Sequence, residues 1–488
     1  MVDAACLDAE TVAGIGLVQH AAAPKARGWA FSALGWAREP SVAAVMPSFA
    51  EQELSKVLAV GAMTVLLILL FVVMLGWSPS KSAQEAKRLP RVTILALAFT
   101  GGLDFFCTDQ FQPSMPDMAT DFAVPQSKMS LMIQVHQVCC GLATLIAAPV
   151  SDRVGRRPVL LLLQMLLMVS TFLCACAPNY EWFAAGRVLQ GISAASCSVI
   201  LAMTRDCYED EAERMQVCGM LFATMLMGPL VAPPIGGFVA ARFGWRCSFF
   251  LLAAAAGAVL VLSLLVVPET APKASQQSYW AAAYRTLANK RRLYLLACIA
   301  LFKSTFCVLD GSNSFMLEDF YGLSLNRASL MVSLLAVSGA LGTVISATLG
   351  WKCVEVMRTF APAVAVAMVV DIVVGVLLKK SIAWYMFSIC FQHLTIFIMN
   401  LAVNVEFLQD LDDIAGMASC VQSTGAYVIA SLLSLPGLAA ASVGAGPMLL
   451  TLAAVIFLAE LVLGLGVLQL PEEALEASPV HVAGKAKK

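Results

Sequence analysis

Ala148-Pro-Val-Ser-Asp-Arg-Val-Gly-Arg-Arg-Pro158 is a short cationic stretch between two apolar runs, 129–149 and 158–178. Each run has about the 20 residues needed to cross a hydrocarbon core of about 30 Å. The stretch between them carries Asp152, Arg153, Arg156 and Arg157, with Gly155 at the turn. Arginine-rich short loops stay on the inner side of a membrane. Placing this loop inside sets the direction of every other segment.

The composition agrees. Of 488 residues, 60% are hydrophobic and 13% charged, against about 25% charged in soluble domains. A water-soluble core cannot absorb that much apolar sequence, so a polytopic all-α membrane protein is expected. A net charge of −1, with no basic tract interleaved with aromatics, gives no reason to expect a nucleic-acid partner. The fifteen cysteines form no C-x-x-C pair, and His20, His136, His393 and His481 lie far apart. Zinc needs grouped ligands, so no metal and no cofactor is expected, and the cysteines read as small packing residues.

The chain divides by hydropathy. Residues 1–54 are an Ala-rich extension, either a targeting segment or a disordered tail. Residues 55–90 hold an extra hydrophobic helix near 57–77 and a basic linker; the orientation of that helix is open. Spans then fall near 92–113, 129–149, 158–178, 183–204, 215–240 and 247–267, which make a first half of 91–267. A polar inner loop, 268–292, separates them from spans near 293–316, 327–349, 359–378, 382–404, 415–440 and 447–469, a second half of 293–470. A tail of 471–488 follows. The halves are of similar length and end in related phrases, Val267-Pro-Glu-Thr270 and Leu470-Pro-Glu-Glu473. Internal duplication of this kind marks transporters built from repeats. Arg205, Arg214, Lys273, Arg285, Lys290, Arg291 and Arg292 fall on the side of the 150–158 loop. The opposite side has Lys128, Arg242, Arg246, Arg327, Lys379 and Lys380. The bias puts both ends of the twelve-span core inside.

Three further phrases carry chemistry. Arg187-Val-Leu-Gln190-Gly191 lies in the fourth span, with Arg187 near its outer end. An arginine at that depth costs several kcal/mol unless it snorkels to the interface or faces protein or water. Cys107-Thr-Asp109-Gln-Phe-Gln-Pro113 places Asp109 in the outer half of the first span, at roughly the depth of Arg187. Asp104 is nearer the midplane and follows Gly101-Gly102, which admit a neighbouring helix. A carboxyl group in low dielectric can gain and lose a proton near neutral pH. Gly228-Pro229-Leu-Val-Ala-Pro233-Pro234-Ile-Gly236-Gly237 lies in the fifth span. Its prolines remove backbone donors and predict a kink, while its glycines permit close packing. Arg205-Asp206 closes the fourth span as an interfacial ion pair.

The first stretch resembles the loop 2–3 signature of the major facilitator superfamily, with Ala148 where that signature opens on Gly. Arg187, Gln190 and Gly191 resemble its R-x-x-Q-G phrase. Residues 228–237 resemble its antiporter motif. The Thr-Asp109…Pro113 phrase and Arg205-Asp206 resemble one subgroup, the Bcr/CflA-like drug:proton antiporters. The resemblance implies a twelve-helix major facilitator fold of two six-helix halves, preceded here by the extra helix. It implies a monomer in a cell or organellar membrane whose partners are a small-molecule substrate, protons and the lipid bilayer. Asp109, with Asp104 second, is then the proton-coupling candidate, and Arg187 lines the cavity beside it. Asp152, Arg153, Gly155, Arg156 and Arg157 form a latch of the outward-open state.

The second half is less marked. Glu406, Asp410, Asp412 and Asp413 make an acidic inner loop that could pair with Arg156 or Arg157. His136, Lys303, Asp310, Asp371, Gln392 and His393 are isolated polar groups within spans, and Phe222, Met225 and Phe397 would suit a greasy pocket. The function expected is proton-coupled efflux of small amphipathic compounds by alternating access. A same-fold carrier of a specific metabolite is the alternative. A non-transporting receptor or scaffold is a second, disfavoured because it needs no intramembrane Asp/Arg pair. No G-x-x-x-x-G-K-[ST] loop is present for ATP-driven pumping, and no clustered catalytic set for an enzyme.

Overall fold

The computed structural model describes residues 88–271 apart from 209, 279–349, 381–443 apart from 412 and 413, and isolated positions within 355–359 and 448–458. Among these residues ten helices are long and apolar enough to cross a membrane. We label them α1 Arg91–Asp121, α2 Gln126–Val154, α3 Arg156–Ala175, α4 Tyr180–Cys207, α5 Glu211–Phe243, α6 Trp245–Val266, α7 Lys290–Phe320, α8 Leu325–Leu349, α9 Ile382–Leu408 and α10 Gly416–Ala441. The last two are the tenth and eleventh expected spans. The segments expected at 57–77, 359–378 and 447–469 lie outside the described residues or almost wholly so, as do Asp371 and the 1–54 extension. A short helix, Tyr279–Leu287, lies in the inner loop between the halves.

Helices are the only open-chain way to satisfy backbone groups in lipid, and polar side chains begin several of them. Asn179, Asp210, Asn289 and Ser381 each accept a hydrogen bond from a backbone N–H of the first turn of α4, α5, α7 and α9. Large apolar residues face outward: Ile146, Leu162, Phe172 and Leu265 are all exposed, as lipid contact requires. Polar groups turn inward and tie helices together. Gln164 of α3 donates to Thr100 of α1 and to Ser263 of α6 at 2.9 Å.

Helices α1, α4 and α10 are interrupted within their spans, α10 at Ser434. α1 is helical over Arg91–Asp109, tightens to a 3-10 turn at Gln112–Ser114 and resumes over Met115–Asp121. Pro113 causes this break, because it has no N–H to offer the carbonyl four residues earlier, that of Asp109. The first span therefore runs through Pro113 to Asp121 and does not end at 113. α4 is interrupted at Ala194 and Ala195, between Tyr180–Ser193 and Ser196–Cys207. α5 runs without interruption through Pro229, Pro233 and Pro234.

Glycine sets how closely the helices approach. A Cβ at Gly236 would collide with the Gln110 carbonyl at the break in α1. At Gly228 it would meet Phe105 Cβ at 3.0 Å and the Gly102 carbonyl at 3.3 Å. Gly237 faces Ser329 of α8, joining the halves on the outer side. The outer side is closed further by Ser130 of α2 donating to the Gly311 carbonyl and by Gln134 donating to the Cys307 carbonyl at 2.9 Å. The partners, Gly311 and Cys307, are both on α7.

Gly236→Ala should destabilise the protein by about 1–3 kcal/mol, the usual cost of forcing atoms into a packed contact. Gly219→Ala, at a position of the same helix where nothing lies within 4 Å, should be neutral or stabilising. Thermal unfolding in detergent, compared for the two variants, checks this pair.

Candidate functional site

Between the halves lies a cavity of ≈ 1080 Å³. The first half contributes Asp104, Asp109, His136, Phe222, Met225, Pro229 and Pro233 to its wall. The second contributes Lys303, Phe306, Asp310, His393, Phe397 and Tyr427. The cavity extends to Asp152, Arg156, Arg205 and Asp206 at the ends of α2, α3 and α4, the side that the arginine rule makes inner. With the outer ends of α2 and α7 bonded together, this is an inward-facing arrangement.

The break in α1 builds the upper part of the site. Asp109, 8% exposed, ends the first segment of α1. Its Oδ1 accepts a hydrogen bond at 2.7 Å from Nε2 of Gln112, which the 3-10 turn brings round. The break also leaves carbonyls without helical donors. Arg187 takes one of them: its Nη1 donates to the Cys107 carbonyl at 3.1 Å and to Gln190 Oε1 at 2.7 Å. Its Nε donates to the Met132 carbonyl at 3.4 Å, and its guanidinium lies 4.5 Å above the ring of Phe111. Arg187 is fully buried and is not among the residues lining the cavity. It was expected on the cavity wall. It stands instead behind Asp109, at the same depth, acting on the carboxylate through its charge. Gln190 in turn donates to Thr171 at 2.8 Å, and Gly191 allows α4 to press on the His136 carbonyl and Cys139 of α2.

Asp104 lies below, 4% exposed. Its Oδ2 accepts from the Ser196 hydroxyl, with the Cys197 thiol at 3.7 Å. Ser196 opens the second segment of α4, so the carboxylate faces a helix N-terminus, whose dipole favours negative charge. Gly101 and Gly102 admit Met225 and Thr224 of α5 at this level.

At the inner mouth, Arg156 is 2% exposed and pairs with Asp152 and, at 2.9 Å, with Asp206. Its Nη1 also donates to Ser151 at 2.7 Å. Gly155 has φ +114, a conformation that disfavours side chains. Glu269 Oε1 and Oε2 accept from the backbone N–H groups of Arg156 and Arg157, capping α3. Arg157 donates to the Leu264 carbonyl at 2.8 Å, while Arg153 is exposed. These partners belong to the first half or, for Glu269, to the start of the inner loop that follows it. The acidic loop of the second half does not supply one among the described residues: Glu406 pairs with Arg291 of its own half, and Asp412 and Asp413 lie outside the described residues. Arg205 makes a contact between halves on this side, its guanidinium packing on Gly416 at the start of α10.

Sequence reasoning passed over Glu269 and Gln112. Glu269 stands in the Val267–Thr270 phrase, read only as a sign of duplication; an acid ahead of no helix of its own gave no local signal of capping. Gln112 was detectable as the polar residue three positions after Asp109.

Two helical halves enclose a buried, charged cavity closed on one side. The sequence model of the Major Facilitator Superfamily matches residues 94–435, and the chain belongs to that family. It is similar to the multidrug resistance protein MdtL of Salmonella paratyphi C, 28% identical over 246 residues, or 50% of this chain and 61% of that protein. It is also similar to MdtL of Escherichia coli O17:K52:H18, 31% identical over 185 residues, or 38% of this chain and 46% of that protein. These matches thus span less than two thirds of those relatives. The same fold occurs in an inward-facing, unoccupied bacterial homologue of the human lysosomal transporter Spinster, with TM-score 0.62, 15% identity and coverage of 80% of this chain and 98% of that one. A D-xylose–proton symporter has it too, with TM-score 0.60, 15% identity and coverage of 76% and 96%.

Arg187→Lys should lower the unfolding temperature in detergent, since one ammonium cannot reproduce a guanidinium that serves two carbonyls and an amide at once. Arg153→Ala should stay within about 0.5 kcal/mol of wild type. Glu269 yields a pH prediction. Partial burial raises its carboxyl, but the N–H groups of Ala271, Arg156, Arg157 and Thr270 outweigh that and hold it below the ordinary value of 4.5. Its contribution is complete above that unfolded value and is lost as pH falls through the lower folded one. Stability of Glu269→Gln should therefore fall less than that of wild type between about pH 5 and pH 3, read by unfolding temperature against pH.

Proposed function

We propose that the chain is a proton-coupled exporter of small amphipathic compounds working by alternating access. The observation that carries this reading is the buried Asp109 on the wall of a large cavity that reaches the inner side. The names of the MdtL relatives support the substrate class. The apolar wall of Phe222, Met225, Phe306 and Phe397 supports it too, because methionine and aromatic groups adapt to varied shapes.

The geometry supports the following cycle. With the cavity open inward, Asp109 and Asp104 reach water through the inner mouth and release a proton. An amphipathic substrate enters along the apolar wall and takes up the vacated charge. The halves then rock. The outer contacts of Ser130 with Gly311 and of Gln134 with Cys307 break, and the inner ends of α2 and α4 close on α10. On closure the half-buried Asp152 carboxylate, paired here with Arg156, turns to the first turn of α10, where helix N–H groups favour an anion. Gly155, Arg156, Asp206 and Glu269 hold the loop in shape for that contact, which is how the latch acts. Protonation of Asp109 from the outside releases the substrate and returns the cavity inward. Arg187 positions the end of α1 and tunes Asp109 from behind.

In proteoliposomes with an imposed pH gradient, amphipathic compounds should drive proton flux through the wild type, and Asp109→Asn should fall to the level of empty vesicles. If no compound of a varied panel moves protons in the wild type, coupled export is wrong. If Asp109→Asn couples normally, Asp109 is not the carrier.

A further inference from the structure

That cycle leaves Lys303 of α7 without a part. Its side chain lines the cavity, and its ammonium makes no hydrogen bond or ion pair among the described residues. What stands beside it is aromatic. Nζ lies 4.9 Å from the ring centroid of Tyr427 on α10 and 5.7 Å from that of Phe306, one turn along α7. Elsewhere this chain joins buried cations to acids directly: Arg156 to Asp152 and Asp206, Arg291 to Glu406. Asp104, Asp109 and Asp310 share the cavity with Lys303, yet none closes on it. Ring faces attract a cation but do not accept the three N–H bonds that an ammonium can donate. A lysine at membrane depth in that state marks a functional position.

The wall around Lys303 is built. Phe306, His393 and Phe397 all line the cavity, and each pair of their ring centroids is 4.8 or 4.9 Å apart. Glycines of α8 admit them. A Cβ at Gly339 would come 2.7 Å from the Phe397 ring and 3.0 Å from the His393 ring, and one at Gly342 would meet Phe397 Cβ at 2.9 Å. His393 Nδ1 meets Ser338 at 3.2 Å, which holds the imidazole. Tyr427 is placed from the other side. It packs on Gly141 of α2, where a Cβ would lie 3.1 Å from its own, and Thr424 donates to the Gly141 carbonyl at 2.6 Å. Tyr427 lines the cavity, and its hydroxyl has no hydrogen-bond partner among the described residues. A cation, a hydroxyl and a platform of three rings thus share one part of the second-half wall.

We propose that Lys303 and Tyr427 form an anion subsite that takes the carboxylate of an aromatic substrate whose ring lies on Phe306 and Phe397. This rests on the reading of the cavity as an export site for amphipathic compounds, and it narrows that class to compounds bearing a carboxylate on an aromatic group. The carboxylate supplies the acceptor that the Lys303 ammonium lacks, in a charge-assisted hydrogen bond about twice as strong as a neutral one. The Tyr427 O–H donates to the other carboxylate oxygen. Offset or edge-to-face contact with the rings fixes the plane of the aromatic group. The acids of the first half face the rest of the molecule, so the proton site and the anion subsite lie on opposite walls. A neutral compound of the same outline keeps the ring contacts and loses the ion pair.

The test compares radiolabelled naphthoate with its neutral analogue naphthamide. Each is bound to the full-length protein in lipid nanodiscs, by equilibrium dialysis at neutral pH with empty discs as the blank. Wild type should bind naphthoate about tenfold more tightly than naphthamide, a difference of about 1.4 kcal/mol. Lys303→Gln should erase that ratio by weakening naphthoate alone, and Lys303→Arg should keep it. Tyr427→Phe should weaken naphthoate about fivefold, the order of one hydrogen bond to a charged group, and it carries the test should Lys303→Gln fail to fold. Phe397→Ala should weaken both compounds equally, because the ring contact serves both. The inference is overturned if wild type shows no preference for naphthoate, if Lys303→Gln or Tyr427→Phe binds it as wild type does, or if Lys303→Gln weakens both compounds alike. Such results would leave proton-coupled export of other amphipathic compounds standing. Absence of any substrate-driven proton flux in wild-type proteoliposomes would remove that broader reading instead, with the naphthoate ratio unaffected.

Discussion

The site depends on one backbone defect and the side chain that repairs it. Pro113 cannot donate to the carbonyl of Asp109, so α1 breaks in the membrane. A broken helix in lipid exposes carbonyls that have nowhere to turn. Arg187, fully buried, supplies the missing donor to the Cys107 carbonyl and is itself held by Gln190, Met132 and the face of Phe111. The same defect turns Gln112 back onto Asp109. A single proline therefore produces the acid's position, its hydrogen-bond partner and the need for a buried cation behind it. The high cost of an intramembrane arginine is offset because this one satisfies backbone groups that would otherwise be buried without partners.

Glycine does complementary work. Gly228 and Gly236 bring α5 onto α1 on either side of Asp109, and Gly191 brings α4 onto α2. Each allows backbone contact where van der Waals packing, not a hydrophobic effect, must hold helices together in lipid. The outer contact of Gly237 with Ser329 and the inner contact of Arg205 with Gly416 lie at opposite ends of the interface between halves. The proposed rocking of the halves requires both to change. The charged network at the inner mouth, in contrast, is built within the first half and the start of the inner loop that follows it.

Much of this was legible along the chain. The apolar runs on either side of the 148–158 loop correspond to membrane-length helices α2 and α3, because segment length and hydropathy act locally and need no partner. The repeated spans placed two halves, and the phrases around Asp109, Arg187 and Gly228 identified the residues on which the site is built. What was misread was direction in space. Arg187 was expected on the cavity wall and lies behind it; Glu406 was expected to reach Arg156 and is bound to Arg291. An arginine at membrane depth looks the same in sequence whether it faces water or a carbonyl. An acidic loop does not declare which half's cations it meets.

Sequence alone determined that this chain crosses a membrane many times, that it is built of two related halves, and that acids and an arginine stand within its spans. Those properties follow from hydropathy, charge bias and periodicity, which are additive along the chain. Only the tertiary structure decided that Asp104 meets Ser196, that Glu269 caps α3 from 113 residues away, and that Lys303 of the second half shares the cavity with Asp104 and Asp109 of the first. Each of these is a meeting of side chains from different helices. Helix rotation and the glycine contacts between helices set such meetings, and no single segment carries that information.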